Sequence, residues 1–393
     1  MIAKSKCLFV LHEGIGSTIF NSQVLEHSIG MKNYEFDIDI LSYNTFSKSW
    51  NLSKANHSYI NQTLPNIKLF LFKALNIYNP FSYLYNSILL IIFFLKNKNV
   101  YKLIHARADY TAFLCILTKP FHKLPVIWDC RGDSISELQD SLSRKNIVVN
   151  FFGNFIFVNI NKIICRFNSK YCDGAVFVSD ALFQMYRQVL YTKYIEIIPC
   201  PVPEEKFYYS LTLRNEMRKL HSIPKETKVC LYSGSMIAYQ SIGEQIELYR
   251  NLLLFPDVLI IIATSEPDLA KLHFSDFLSN RFKILSVKYE EMNSFYNMAD
   301  FSFLIRDNKI LNNVASPTKF GEYCLTGLPV IMNDTVYQSL QISKLLGNYI
   351  SHFDSSLNVL SNSRRQEIAD ASINIFSRKF LNQKYMKLYK SVL

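Results

Sequence analysis

Short apolar runs of strand length alternate along the chain with longer segments of helical character. The runs predicted to be strands form two series, first at 6–12, 36–43, 100–107, 125–129 and 174–179, then at 228–234, 258–264, 282–287, 300–306 and 328–333. Strands that are apolar almost throughout and are separated by helices are typical of parallel sheets covered on both faces. The pattern therefore predicts an α/β protein with two doubly wound, Rossmann-like domains.

A proline-rich segment, IPCPVPEEKF at 198–207, separates the two series. Its three prolines within five residues form a stiff, extended linker. A length of 393 residues also suits two domains of about 200 residues each. The expected parts are an N-terminal domain, a C-terminal domain and a closing helix that packs back toward the N-terminal domain, over 1–200, 201–378 and 379–393.

Composition narrows the class of protein. With 49% hydrophobic and 19% charged residues the chain is globular and not disordered. Its eight cysteines form no Cys-x-x-Cys pair and no cluster, which argues against a zinc site or a disulfide framework and suits a reducing cytosol. The longest uninterrupted apolar run, 88–95, is too short to span a bilayer, and the N-terminal run CLFVL is too short for a signal core. We expect a protein that is soluble or lies on a surface.

The net charge of +11 is unevenly distributed. No acidic residue lies between Asp39 and Asp109, a stretch that holds eight basic residues with aromatics between them. Nucleic acid is a poor explanation, because no helix-turn-helix, RRM-like or KH-like signature is present. A basic, aromatic face suits an anionic membrane surface better. The alternative is an ordinary set of solvated lysines around a core.

Charged residues and rare glycines follow the predicted strands of both series. In open α/β sheets ligands bind beyond the carboxyl ends of the strands, so these positions predict the edge that carries a site. The segment GIGST at 14–18 is not a dinucleotide fingerprint, because Ile19 stands where the third glycine belongs. Two sheets whose edges carry these charged residues and glycines, and which face each other, would form a cleft enzyme.

The segment SPTKFGEYCLTG, 316–327, predicts a short helix with an unfavourable charge at its start. We expect Ser316 to be the N-cap, Pro317 the first helical residue and Gly327 the residue that ends the helix. Lys319 then lies in the first turn, where the positive end of the helix dipole costs a cation about 0.3–1 kcal/mol. A bound anion would explain a lysine at this position.

These segments resemble the GT-B glycosyltransferases, specifically the retaining family 4 type that builds bacterial surface polysaccharides. The resemblance is carried by YSGSMIAYQ, the block from MADFSFLIR through SPTKFGEYCLTGLPVI, and FSRKFLNQKYMKLYKSVL, at 232–240, 298–331 and 376–393. In the first half GIGSTIFNSQV, HAR, IWDCRG, FVSDAL and the proline-rich linker match more loosely. The resemblance implies a GT-B fold, with two Rossmann-like domains facing across a cleft.

The resemblance also implies a set of site residues. In this family two glutamates eight positions apart hold the donor, and Glu322 matches the second, whereas Val314 stands in place of the first. We expect catalysis to depend on Arg306, Lys319 and Asp129. The expected donor-binding residues are Gly234, Ser235, Gln240, Asn312, Ser316, Pro317, Thr318 and Glu322. The expected acceptor-binding residues are Gly16, Ser17, Arg107, Arg131, Gly132 and Asp133.

Each of these assignments also has a structural alternative. Lys319 and Glu322 could be a surface pair, Arg306 a structural ion-pair member, and the residues from Asp129 to Asp133 an ion-paired turn. The implied function is transfer of a sugar from a UDP- or GDP-linked donor to a lipid-linked saccharide, with retention, for capsule or O-antigen synthesis. The enzyme would need no metal or cofactor and would lie at the inner face of the cytoplasmic membrane. The alternatives are a sugar-nucleotide epimerase of the same fold and a catalytically inactive binding subunit.

Overall fold

The structure is a computed structural model of the 393-residue chain. It describes residues 5–15, 20–45, 48–64, 67–77, 79, 81–236, 241–352 and 357–393. The chain divides into two compact units, which we call unit 1 and unit 2. Unit 1 comprises Met1–Pro199 together with Leu381–Leu393, and unit 2 comprises Cys200–Phe380. The boundaries expected from the sequence lie one and two residues from these.

In the described part of unit 1, seven parallel strands form one sheet in the order β3-β2-β1-β4-β5-β6-β7. The strands are β1 Ser5–Leu11, β2 Phe36–Thr45, β3 Leu69–Ala74, β4 Leu103–Arg107, β5 Val126–Cys130, β6 Gly174–Phe177 and β7 Ile195–Ile197. The helices are α1 Glu26–Met31, α2 Lys48–Thr63, α3 Ser82–Lys96, α4 Asp109–Leu117, α5 Lys119–His122, α6 Ser134–Ser143, α7 Ile147–Gly153, α8 Asn159–Tyr171 and α9 Asp180–Tyr186. Phe20–Leu25 and Asn154–Val158 are π-helical, and Lys32–Tyr34 is a 3₁₀ turn.

In the described part of unit 2, six parallel strands form a second sheet in the order β10-β9-β8-β11-β12-β13. The strands are β8 Lys228–Ser233, β9 Val258–Ala263, β10 Phe282–Leu285, β11 Phe301–Leu304, β12 Val330–Met332 and β13 Tyr349–Ser351. The helices are α10 Leu211–Leu220, α11 Ile242–Leu252, α12 Pro267–His273, α13 Met292–Met298, α14 Ile310–Asn313, α15 Thr318–Leu325, α16 Tyr337–Leu346 and α17 Asn362–Phe376. Ser275–Phe277 and Tyr289–Glu291 are 3₁₀ turns. Helix α18, Arg378–Val392, begins in unit 2 and continues into unit 1.

Both sheets are buried on their two faces, as near-continuous apolar strands predict. In β8 the side chains alternate between two separate clusters, with Val229 and Leu231 in one and Cys230 and Tyr232 in the other. Each of the ten predicted strands overlaps an observed one, and the doubly wound α/β fold is confirmed. The strands that the sequence did not predict, β3, β7 and β13, all lie at or next to a sheet edge.

Strand β3 lies within the acid-free stretch that suggested a basic, aromatic membrane face. The aromatics of that stretch do not share one surface, because Tyr43 and Phe93 are buried whereas Tyr59 and Phe81 are exposed. The ring of Phe93 lies 5.0 Å from that of Phe70, centroid to centroid, so these aromatics help to form the core. The stretch thus supplies aromatics both to the core and to the surface, and its contact with an anionic membrane stays a prediction.

The helical stretch Ile147–Tyr171 is, among the described residues, the one long and apolar enough to cross a membrane by length and composition. Only 17% of its most apolar window is buried. The sequence interpretation missed this stretch because asparagines at 150, 154, 159 and 161 interrupt every apolar run in it.

Candidate functional site

Helix α15 of unit 2 begins one residue later than the sequence predicts. Pro317, with φ −66° and ψ 124°, is the N-cap and not the first helical residue. Ser316 does not cap the helix, because its Oγ accepts a hydrogen bond of 3.1 Å from the backbone N–H of Cys200. The side chain of the N-cap residue Pro317 makes no capping hydrogen bond. The N–H groups of the first turn are therefore of the kind that binds a phosphate at a helix N-terminus.

The same helix ends as the sequence predicts. Gly327 has a φ of +62° and follows the C-cap residue Thr326. A Cβ added at Gly327 would lie 2.0 Å from the carbonyl oxygen of Arg365 in α17. Only glycine fits both the backbone conformation and this approach, so α15 is held tightly against α17.

Glu322 lies one turn into α15 and is buried, with 4% of its surface exposed. Its Oε2 accepts a hydrogen bond of 2.8 Å from the hydroxyl of Tyr296. That hydroxyl is also hydrogen-bonded at 3.0 Å to Ser233, the last residue of β8, which in turn pairs with Tyr323 at 2.9 Å. Burial raises the pKa of Glu322, although the bond from Tyr296 and the charge of Lys319 oppose the rise.

Lys319 extends toward the loop that follows β8. A Cβ built on Gly234 would lie 2.4 Å from Lys319 Nζ, so the ammonium group occupies the space that a side chain there would need. Lys319 forms no ion pair with any described residue. Burial lowers the pKa of Lys319, the nearby Arg306 lowers it further, and Glu322 partly offsets the effect. An anion bound here would restore the charged form.

Arg306 follows β11 and is buried, with 8% of its surface exposed. Its carbonyl oxygen accepts hydrogen bonds from Asn333 Nδ2 at 2.8 Å and from Thr335 Oγ1 at 3.1 Å. These bonds tie the loop after β11 to the loop after β12. The backbone of Arg306 is thereby fixed while its guanidinium lies close enough to Lys319 to affect its pKa.

The structure thus brings together Gly234, Arg306, Lys319 and Glu322, but it does not bring every expected donor residue to this place. Asn312 is buried and uses its Nδ2 to donate to the carbonyl of Asp307 at 2.9 Å. The backbone carbonyl of Ser235 accepts a 3.0 Å bond from the hydroxyl of Tyr232, Thr318 opens α15, and Gln240 lies outside the described residues. Val314 is buried, so the position of the missing glutamate belongs to the core.

In unit 1, Arg107 ends β4 and lies at the carboxyl edge of the sheet. Its Nε donates to Glu13 Oε2 at 2.8 Å and its Nη2 donates to Gln23 Oε1 at 2.9 Å. Glu13 and Gln23 were not predicted from the sequence, although Glu13 lies only two residues beyond the end of β1. Gly16 and Ser17, which were predicted, lie outside the described residues.

Asp129, expected to be catalytic, is fully buried in a polar network beneath α18. Its Oδ2 lies 3.0 Å from His105 Nε2 and accepts a 2.8 Å hydrogen bond from Arg131 Nε. Burial alone would raise the pKa of Asp129, but the charges of Arg131 and His105 bring it well below its usual range. This geometry favours a structural role for Asp129 over a catalytic one.

The network continues into α18. The hydroxyl of Tyr389 is hydrogen-bonded to His105 Nδ1 at 2.6 Å and to His27 Nε2 at 3.2 Å. His27 Nδ1 pairs with Asn382 Oδ1 at 3.1 Å, and an Nη atom of Arg131 donates to the hydroxyl of Tyr385. Buried polar groups of this kind are stabilising only when each has its partner.

This network predicts a loss of stability in mild acid. Burial lowers the pKa of His27 to about 3 and also lowers that of His105, whereas both titrate near 6.5 in the unfolded chain. Below pH 6.5 the unfolded state therefore binds more protons, and the free energy of unfolding should fall by about 1.4 kcal/mol per pH unit for each histidine. Urea unfolding between pH 7 and pH 5 measures this slope. The slope should be shallower in His27→Gln. An unchanged slope would contradict the conclusion that burial lowers the pKa of His27 in the folded protein.

The turn after β5 is built around a helix cap. The carboxylate of Asp133 accepts hydrogen bonds from the backbone N–H and the hydroxyl of Ser136, which makes it the N-cap of α6. A Cβ added at Gly132 would lie 2.5 Å from Glu137 Oε1. Of the expected acceptor residues, Asp133 therefore has a clear structural reason to be present.

Buried polar atoms at this edge of the sheet that have no hydrogen-bond partner among the described residues include His12 Nδ1, Arg107 Nη1, Asp129 Oδ1 and Asp133 Oδ1. They lie at or just after the carboxyl ends of the neighbouring strands β1, β4 and β5. An unsatisfied buried polar group costs about 1–3 kcal/mol, so these atoms favour a polar, hydroxyl-bearing ligand at this edge. Among the described ranges no group of three or more His, Cys, Asp or Glu could hold a metal ion.

Comparisons with known proteins establish the fold. No protein-family model matches this chain, and no curated protein sequence does. Solved structures are similar over nearly the whole length: HepE from Anabaena in complex with UDP, with TM-score 0.70 and 12% identity, covers 98% of this chain and 100% of its own. Sucrose-phosphate synthase from Thermosynechococcus elongatus has a TM-score of 0.72 and 11% sequence identity, and the match covers 99% of each chain. A glycosyltransferase from Rickettsia africae has a TM-score of 0.67 and 14% sequence identity, and the match covers 99% of this chain and 98% of its own. The chain therefore has the GT-B fold.

Proposed function

We propose that the chain is a glycosyltransferase that moves a sugar from a nucleotide diphosphate to a saccharide acceptor. The observation that carries the proposal is the arrangement of Gly234, Arg306, Lys319 and Glu322 in unit 2. Two cations and the N–H groups at a helix N-terminus suit a diphosphate, while a buried carboxylate one turn away suits a ribose diol. HepE, which is similar in fold, has been crystallised with UDP and with UDP-glucose, which supports UDP as the nucleotide.

In this mechanism unit 2 holds the donor. Lys319 and Arg306 stabilise the charge that develops on the departing diphosphate, as preorganised cations do where charge develops in a transition state. Glu322 fixes the ribose and so positions the bond that breaks, between the anomeric carbon and the phosphate oxygen. A bond forms between that carbon and the acceptor hydroxyl, whose proton passes to the departing phosphate oxygen. This route leads to retention without a side-chain nucleophile.

Unit 1 is proposed to hold the acceptor. Its edge offers Arg107 and the unpartnered atoms of His12 and Asp133, which would pair with hydroxyl groups of a saccharide. The resemblance to enzymes of surface polysaccharide synthesis supports a lipid-linked acceptor and a place in capsule or O-antigen synthesis. We propose a location at the inner face of the cytoplasmic membrane on the same ground.

A second candidate is a subunit that binds nucleotide sugars without turning them over. The observation in its favour is Val314, whose buried apolar side chain replaces a carboxylate that would contact the donor sugar. The two candidates agree on nucleotide binding and differ only in turnover.

One experiment separates these candidates. Thermal unfolding should be shifted upward by UDP-sugars, because a ligand that binds only the folded protein stabilises it by mass action. The stabilising sugar nucleotide is then incubated with the protein, with and without a lipid-linked saccharide, and the release of UDP is measured. We expect release that persists in EDTA. Binding without release would favour the inactive subunit, an epimerised donor would indicate an epimerase, and activity lost in EDTA and restored by manganese would contradict metal-free transfer.

A further inference from the structure

The helical stretch between α6 and β6 exposes an apolar surface that no strand or helix covers among the described residues. Its first half, which we call the apolar tip, comprises Ile147–Ile156. Ile147 is 86% exposed, and Phe151 and Phe155 are 67% and 70% exposed. Val148, Val149, Phe152 and Ile156 are exposed as well. A contiguous apolar surface of this size marks an interaction site on a folded protein.

The opposite side of the tip is packed, so the exposed side chains are held outward. Val158 is buried in a small core with Leu138 and Leu142 of α6. A Cβ added at Gly153 would lie 2.5 Å from Leu142 Cδ2, which shows how closely α7 approaches α6. The tip is therefore one well-packed element with one open face.

Between Asp140 and Asp173, the charged side chains on both sides of the tip are all cations. The sequence has no acidic residue between Asp140 and Asp173. Arg144 pairs with Asp140 at 2.8 Å before the tip, and the exposed Lys145 follows it. The exposed side of α8 then carries Lys162, Arg166 and Lys170. Apolar residues next to a row of cations form the pattern by which a surface element enters the interface of an anionic membrane.

A second apolar row lies on a helix of the same layer. In α3 the exposed residues Leu84, Ile88, Ile92 and Leu95 recur at helical spacing. Aromatic rings connect α3 through α4 to α8, with Tyr83 5.9 Å from Phe113 and Phe113 5.1 Å from Phe167, centroid to centroid. The outer surface of this helix layer is thus apolar at two places, and Lys96 follows the second row.

We propose that this surface of unit 1 docks on an anionic phospholipid membrane, with the apolar tip inserted at the level of the headgroups and the cations against lipid phosphates. The stretch lies in the interface and does not cross the bilayer, because α8, its second half, packs one side into the protein core. Ile164, Cys165 and Ser169 of α8 are buried, and Asn168 Nδ2 donates to the carbonyl of Asp109 at 2.9 Å. The proposal depends on this surface alone and not on sugar transfer.

Sedimentation with vesicles of phosphatidylcholine, with and without phosphatidylglycerol, tests the proposal. The full-length protein should pellet with the anionic vesicles and should be released as salt screens the charges. The double variant Phe151→Ser, Phe155→Ser should lower the partition coefficient at least tenfold. The matched control is Leu254→Ser, Leu345→Ser, which removes two apolar side chains of unit 2 that are 80% and 79% exposed. The control should pellet like the parent protein.

A charge variant gives an independent readout. Lys162→Gln, Arg166→Gln, Lys170→Gln should weaken binding to anionic vesicles and flatten its dependence on salt. Undiminished binding of the tip variant would overturn the proposal. So would resistance of the bound protein to extraction at alkaline pH, which indicates a membrane span. A lipid-free dimer that the tip variant dissociates, with vesicle binding unchanged, would assign the surface to a second copy. Vesicle binding by a protein that shows no transferase activity would leave this proposal standing and remove only the proposed function.

Discussion

Replacing Glu322 with glutamine should weaken the binding of UDP by about 1.5–3 kcal/mol, which is more than tenfold in Kd. The substitution removes the charge and keeps the shape, and the amide oxygen can still accept the bond from Tyr296. A carboxylate that accepts hydrogen bonds from the ribose hydroxyls explains a loss of this size. Isothermal calorimetry with UDP and GDP measures the affinities, and melting curves of the ligand-free protein measure stability.

Lys319→Ala should weaken binding by a similar amount and leave the melting temperature unchanged or slightly higher. The reason is that the variant removes a phosphate contact together with an unfavourable charge at a helix N-terminus. Lys283→Ala, at an exposed lysine of β10, is the matched control and should change neither quantity. If Lys319 and Glu322 were a structural pair, both variants would melt at lower temperature and bind UDP normally.

The pH dependence of binding adds a sharper test of the same pair. The site should bind best with Glu322 ionised and Lys319 protonated, although burial raises the pKa of the first and lowers that of the second. Affinity should therefore fall in acid as Glu322 takes up a proton and fall in base as Lys319 loses one. The methyl ester of UDP is the suitable probe, because its phosphates do not titrate near neutral pH. Glu322→Gln should abolish only the acid limb, and Lys319→Ala only the alkaline limb.

Asp129→Asn should destabilise the protein by about 3–5 kcal/mol, the usual cost of removing one partner from a buried ion pair. The variant leaves the guanidinium of Arg131 without its carboxylate and weakens the hold on His105. Urea unfolding followed by circular dichroism measures the loss. UDP affinity at unit 2 should be preserved under conditions where the variant is folded.

Asp133→Asn is the matched control for this change. It lies four residues further on and is equally buried, but asparagine caps a helix about as well as aspartate, so the cost should stay below about 1 kcal/mol. If Asp129 were a catalytic group, Asp129→Asn would keep normal stability and lose turnover instead. That outcome would restore the original prediction for Asp129.

The sequence predicted the fold well because buried parallel strands carry a strong local signal. It failed where the signal is short or distant. Strands β3, β7 and β13 lie at sheet edges and are only partly buried, unlike the central strands of the two sheets. Ser316 looks like a helix cap until a backbone N–H 116 positions away in the chain takes its hydroxyl. Local pattern cannot reveal such a partner.

The same difference between local and distant signals applies to the candidate site. Lys319 and Glu322 could be identified from the sequence, because a lysine in the first turn of a helix contradicts the dipole and so indicates an anion. The network around Asp129 could not, since His27 and Tyr389 are 362 positions apart. The apolar tip was missed for a different reason. Its asparagines break the apolar run, and only the packing of Gly153 and Val158 shows which side faces outward.

Unit 1 is built from two separate segments of the chain, and this affects the order in which it can fold. The sheet of unit 1 is translated before residue 200. Its polar residues His27, His105 and Arg131 are hydrogen-bonded by Asn382, Tyr385 and Tyr389. These partners lie in α18, the part of unit 1 that is translated last. In a nascent chain these groups of unit 1 therefore lack their partners in α18 while the ribosome adds the whole of unit 2. Domains usually fold in the order of synthesis. Here the unit that emerges first is the one completed last, and unit 2 can fold while unit 1 still waits for its final helix.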